Sequence, residues 1–278
     1  MTWFESSVAA VIVGVAYATV TSLPAQRRSP KASHDEEGRR RGPGWRASFL
    51  SGSLFAVAVS PLIASLHLST PWLMLSLWLL LFVMGFLLSM IEATAFSEGP
   101  KPVRIRDVIG AMAASAIAAT VTAFLIKAPS PGSLPVNLGQ WTNTFGWSGL
   151  VLRSLGAATA FMVAYCVIGS VAWRLVRPYY QDASLGLRLR IPSGRTVVAL
   201  QMGRGMLAIL ALTPLLASSS AHGIDWWARF AFALAITSGV IPLLGAAGWP
   251  ARLRVVHAVE IVVFALVYTF ALGRIFGL

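Results

Sequence analysis

WLMLSLWLLLFVMGFLLSMI, residues 72–91, runs for twenty positions without one ionisable side chain. As a helix rising 1.5 Å per residue it is about 30 Å long, which matches the hydrocarbon core of a bilayer. The same reading extends in both directions to stretches 8–23, 47–66, 108–126, 149–173, 197–217, 228–248 and 255–276. The expected fold is therefore all-α: a polytopic membrane bundle of eight transmembrane helices, forming a single transmembrane domain over 1–278 with no sizeable soluble domain.

Composition points the same way, because 56% of the residues are hydrophobic and only 12% are charged. Ordinary soluble domains carry about twice that charged fraction. A net charge of +12 invites a nucleic-acid reading, but the distribution of the charge argues against one. Seventeen of the 22 Lys and Arg fall in alternate gaps between spans: seven in the first gap, three after the third span, five after the fifth and two after the seventh. These are Arg27, Arg28, Lys31, Arg39, Arg40, Arg41 and Arg46, then Lys101, Arg104 and Arg106, then Arg174, Arg177, Arg188, Arg190 and Arg195, then Arg252 and Arg254. Short basic loops beside apolar spans stay in the cytoplasm and meet anionic lipid there, so both termini are expected outside. Anionic lipid at the cytoplasmic face is the expected partner, and nucleic acid is not. The high Ala, Arg and Trp content fits a bacterial inner membrane, while a protein partner and a homo-oligomer are left open.

Tryptophan supplies an independent check, since its ring favours the headgroup level. Trp3, Trp72, Trp141, Trp147, Trp226 and Trp227 fall at outer span ends and Trp45, Trp173 and Trp249 at inner ones, with only Trp78 well inside a span. A secretory signal peptide begins with a basic region, whereas here Glu5 precedes the first apolar run and Arg27 and Arg28 follow it. That run reads as a retained anchor. The single cysteine, Cys166, excludes an intramolecular disulfide and reads as a buried, inert thiol.

The first cytoplasmic loop, residues 25–46, is rich in charge, Pro and Gly and is expected to be disordered or lipid-associated. The outer loop 127–147 is nearly uncharged, and either folds over the outer mouth or links two halves of like orientation. In the fourth span, Gly110, Ala114, Ala118 and Thr122 recur at four-residue spacing. A neighbouring backbone can approach such a face closely, which places that helix inside the bundle. Pro61, Pro214 and Pro242 each remove a hydrogen bond from a span.

Ionisable groups at membrane depth cost about 2.5–3.5 kcal/mol each at a helix centre, so each needs a reason. Glu92, Arg204, His257 and Glu260 all fall toward the cytoplasmic side, and His257 and Glu260 share a helical face at a spacing of three. Arg204, bracketed by Gly203 and Gly205, is expected to pair with Glu92 or Glu260. The glycines allow close approach or a local break. Snorkelling to the interface is the competing reading. A second group, Lys127, Arg153, Arg229 and Arg274, lies at outer span ends with Asp225 and Glu5, and suits an anionic phosphate or carboxylate headgroup. Interface snorkelling accounts for these four equally well.

Several functions drop out. No lysine sits mid-span to carry retinal, and His257 is the only histidine in a span, too few for multi-haem transfer. HExxH and paired-glutamate protease patterns are absent, and the His257–Glu260 spacing is a weak metal signal that does not amount to a metal site. No cofactor or catalytic residue is expected, and nothing specifies an enzyme. The leading expectation is a small permease or exporter-like transporter with a charged cytoplasmic-side cluster. A non-transporting scaffold or assembly factor comes second, and an intramembrane enzyme acting on lipid or peptide third.

Overall fold

A computed structural model describes residues 3–26, 44–96, 105–180, 193–246 and 249–278. These form eight helices: α1 (Trp3–Gln26), α2 (Trp45–Ile63), α3 (Thr70–Phe96), α4 (Ile105–Leu125), α5 (Leu134–Tyr180), α6 (Gly194–Ala217), α7 (Gly223–Leu244) and α8 (Ala251–Phe276). Local chemistry sets several of their ends. Pro71 stands in the first turn of α3, where its missing N–H costs nothing. Ser193 Oγ caps α6 by accepting from the Thr196 N–H at 3.3 Å, and Gly277 closes α8 in the left-handed region at φ 70°.

Helices α2 to α8 are long and apolar enough to cross a membrane, which makes the chain a multi-pass membrane bundle. In α1 the stretch whose side chains are described, Glu5–Thr21, is shorter. Apolar side chains cover the outside as well as the core: Val151, Leu152, Val163, Val167 and Val171 of α5 all point away from the protein. That inversion of the soluble pattern is what a hydrocarbon solvent selects.

The helices close into a ring in the order α1, α2, α7, α8, α5, α6, α3, α4 and back to α1. A cross-contact between α3 and α7 pinches the ring into two lobes. Both helices widen into π turns at that crossing, over Leu80–Leu87 in α3 and Ile236–Val240 in α7. In α7 the wide turn precedes Pro242, whose ring nitrogen cannot donate to the preceding turn. In α3 the crossing is made by Gly85: a methyl added there would stand 3.0 Å from the Thr237 carbonyl oxygen.

Several expectations change in the folded chain. The span at 149–173 belongs to the second of two helical segments of α5, which part at Gly146 with φ 67° and ψ 162°; the first segment, from Leu134, makes most of the expected outer loop 127–147 helical. Helix α4 does not lie inside the bundle. Ala114, Ala118 and Thr122 are buried against α1 and α3, but Ile109, Met112 and Phe124 are exposed, because the small-residue stripe occupies one face only. Trp226 is a core residue stacked on Phe230 rather than part of an interfacial belt. Trp78, deep in its span, donates to the Met112 carbonyl on α4 at 3.2 Å. Helices α2 and α6 continue through Pro61 and Pro214. Cys166 is partly exposed rather than buried. Of the basic loop at 25–46, residues 27–43 lie outside the described residues, as do Lys101, Arg104, Arg188 and Arg190.

Candidate functional site

Two features occupy the end of the bundle that carries Arg46, Arg106, Arg174, Arg177, Arg195, Arg252 and Arg254. The first is a polar cluster in the lobe formed by α3, α5, α6 and α8. Arg204 of α6 is buried at 7% exposure. Its Nη2 lies 2.8 Å from Glu92 Oε2 of α3, and its Nη1 donates to Gln201 Oε1 at 2.7 Å. The Tyr165 hydroxyl of α5 donates to the other carboxylate oxygen, Glu92 Oε1. The guanidinium also lies 5.3 Å from the Tyr165 ring and 5.7 Å from the Phe161 ring, within cation–π range. Arg204 therefore does not snorkel. Its charge is neutralised inside the protein by a carboxylate from another helix, with rings on one side in place of water.

Backbone packing brings Arg204 to that depth. A methyl on Gly205 would sit 2.7 Å from the Ala158 carbonyl oxygen and 2.8 Å from its Cα, so only glycine lets α6 lie against α5 there. Gly203 faces open space, and the helix runs unbroken through both.

His257 and Glu260 form a pair on α8, with Nδ1 and Oε2 2.9 Å apart. Glu260 also faces Gly169 of α5, one turn from Tyr165. The four ionisable residues are thus organised as two pairs, Glu92–Arg204 and His257–Glu260, on either side of α5. Gln201 and Tyr165 complete the first pair. Gln201 stands one turn before Arg204 on the same helix, whereas nothing in the sequence brings α5, and with it Tyr165, next to α3. Among the described residues no three His, Cys, Asp or Glu side chains gather as metal ligands.

The second feature, in the other lobe, is a cavity of about 450 Å³ between α1, α2, α3 and α7. Phe86, Met90, Ile241, Pro242 and Trp249 supply apolar walls, and Tyr17, Ser48, Ser51 and Ser89 supply hydroxyls. Arg204, Glu92, His257 and Glu260 are not among its lining residues. Trp249 connects the two features, lining the cavity while its ring packs 5.5 Å from that of His257.

At the opposite end the connections are hydrogen-bonded to one another. The His67 N–H donates to the Ser218 carbonyl at 2.8 Å, the Ser220 N–H to the Ser65 carbonyl at 2.8 Å and the Ser69 N–H to the Gly132 carbonyl at 2.7 Å. Asn137 Nδ2 donates at 2.9 Å to both the His67 carbonyl and Ser218 Oγ. Three connections are thereby joined: α2–α3, α4–α5 and α6–α7. Of the four cations at this end, Arg229 chelates Asp225 and donates to the Pro61 carbonyl at 2.8 Å. Arg153 packs 4.3 Å over the Phe145 ring, and Lys127 and Arg274 are exposed. No protein-family model, curated protein or solved structure matches the chain.

Proposed function

We propose that the chain is an eight-span protein of a bacterial cytoplasmic membrane, with both termini outside, and that it works as a small permease whose path is shut on the outer side and open on the inner side. The observation that carries this reading is the contrast between the two ends: backbone hydrogen bonds join three connections at one end, while a cavity lies at the other. The basic residues at the cavity end favour the cytoplasm, where anionic lipid would hold them. In this reading Glu92 and Arg204 are a joint fixing α3 to α5 and α6. His257 and Glu260, linked to the cavity through Trp249, are the proton site or inner gate. Lys127, Arg153, Arg229 and Arg274 form the outer headgroup contacts.

A scaffold is the second reading, favoured by the enclosure of the Arg204 ion pair away from the cavity lining. Sided labelling separates the two. In a Cys166→Ser background, Ser89→Cys reports access to the cavity. Leu66→Cys with Ser219→Cys, at a bridged antiparallel pair, locks the hydrogen-bonded end when oxidised. A membrane-impermeant maleimide, read at residue 89 by peptide mass, should react from the inner face and more slowly from the outer face, with only the outer reaction lost on oxidation. Inner labelling alone, indifferent to the lock, selects the scaffold. No labelling from either face removes the vestibule.

A further inference from the structure

The cavity between α1, α2, α3 and α7 has a chemical character of its own. Its volume of about 450 Å³ lies within the roughly 300–1,000 Å³ usual for small-molecule sites. No charged side chain lines it among the described residues, so these walls offer an ionic ligand no counter-charge to offset its lost hydration. A purely apolar ligand fits incompletely too. Ser48 lines the wall at 1% exposure, and its Oγ has no hydrogen-bond partner among the described residues. A buried hydroxyl left unpaired forfeits its hydration without return, so such a group is a standing demand for a partner. Ser51, one turn along on the same wall, donates to the Ala47 carbonyl at 2.8 Å and keeps acceptor capacity. Phe86 and Trp249 offer flat apolar surface across the cavity.

We infer that this cavity binds a neutral amphiphile, with an apolar chain or ring body against Phe86, Met90, Ile241 and Trp249 and one hydroxyl or carbonyl group hydrogen-bonded to Ser48. The inference rests on the permease reading and names its class of cargo, although binding itself needs no transport. The geometry explains why hydroxyls and apolar walls occur together where the neighbouring lobe uses charges. A ligand drawn from the bilayer or from the cytoplasm would present the same chemistry to the wall.

Equilibrium binding to the full-length protein in nanodiscs tests this without a transport assay, using tritiated farnesol as the membrane-borne probe and tritiated 2-phenylethanol as the water-borne one. Saturable binding of either probe is expected, and the one that binds identifies the source. Farnesyl phosphate should compete at least tenfold less well than farnesol. Ser48→Ala should weaken binding about two- to tenfold, the equivalent of one hydrogen bond. Ser89→Phe should abolish it by filling the space, with Ala93→Phe making the same test from a more exposed position on the wall. The inference is overturned if neither probe saturates, if farnesyl phosphate binds as well as farnesol, or if a folded cavity-filling variant binds like the parent. Loss of binding with sided labelling of residue 89 intact would leave the permease reading standing. Binding without outer-face labelling would leave a ligand-binding scaffold.

Discussion

Glu92 and Arg204 stabilise each other unequally. Arg204 is enclosed, with a side-chain exposure of 8%, whereas the Glu92 side chain is 32% exposed and retains the Tyr165 hydroxyl as donor. Removing the carboxylate strands a buried cation whose Nε already lacks a partner among the described residues. Removing the guanidinium leaves an acid that can still reach a polar environment. Glu92→Ala should therefore lower the unfolding temperature more than Arg204→Met, at a cost approaching the 3–5 kcal/mol typical of a broken buried pair. The double variant should recover much of that loss, because an apolar Met can fill the guanidinium's place. Thermal unfolding in nanodiscs measures all three. Equal losses in the single variants, adding in the double, would mean that the two residues do not act as a lock. That Arg204 needed a counter-charge was legible in the sequence, since an arginine two turns into a span has few alternatives. The choice of Glu92 over Glu260 was not, because it depends on which helices are neighbours.

Gly203 and Gly205 look alike in the sequence but differ once α6 is packed. A methyl at position 205 would meet the α5 backbone at 2.7 Å, whereas at position 203 it meets nothing within 4 Å. Backbone cannot rotate aside as a side chain can, so Gly205→Ala must push α6 away from α5. With them it would carry the Arg204 guanidinium away from the Phe161 and Tyr165 rings of α5. Gly203→Ala instead replaces a flexible residue with a strong helix former and should stabilise α6 by about 0.5–1 kcal/mol. Opposite shifts in unfolding temperature are expected, with Gly205→Ala the lower. A destabilised Gly203→Ala with an unaffected Gly205→Ala would reverse the packing of α6. The limits of sequence reading at this scale have a physical basis. Hydropathy sees apolar length, so the long apolar segments stood out, but it is blind to an amphipathic helical arm such as 134–145, whose Asn137 bonds to the connections and whose Trp141 and Phe145 rings pack against Phe276 of α8. The π turns are equally hidden, because they arise where α3 and α7 cross rather than from a local signal.

At the scale of the whole molecule, the ring of helices bears on whether α1 crosses the membrane and makes the two arrangements unequal. Helix α1 packs against both α2 and α4 and closes the circle, with Val13 and Tyr17 buried on its inner side and Val11, Ile12 and Val15 exposed on the other. A helix with one face in the protein and an apolar face outward is stable beside its neighbours only if that outer face meets lipid. Helix α1 is 24 residues long, within the roughly 17–25 that span a bilayer. The basic residues from Arg27 to Arg46 follow α1 directly, and retention of that charge in the cytoplasm would carry the other end of α1 outward. In a Cys166→Ser background, Ser6→Cys and Leu278→Cys should therefore both react with an impermeant maleimide on intact cells. Arg46→Cys, beside the basic loop, should react only after the membrane is opened. If Ser6→Cys were protected while Leu278→Cys reacted, the bundle would have seven spans with α1 folded against it from the cytoplasmic side. The wall of the cavity at Tyr17 would then come from a helix that does not cross the membrane.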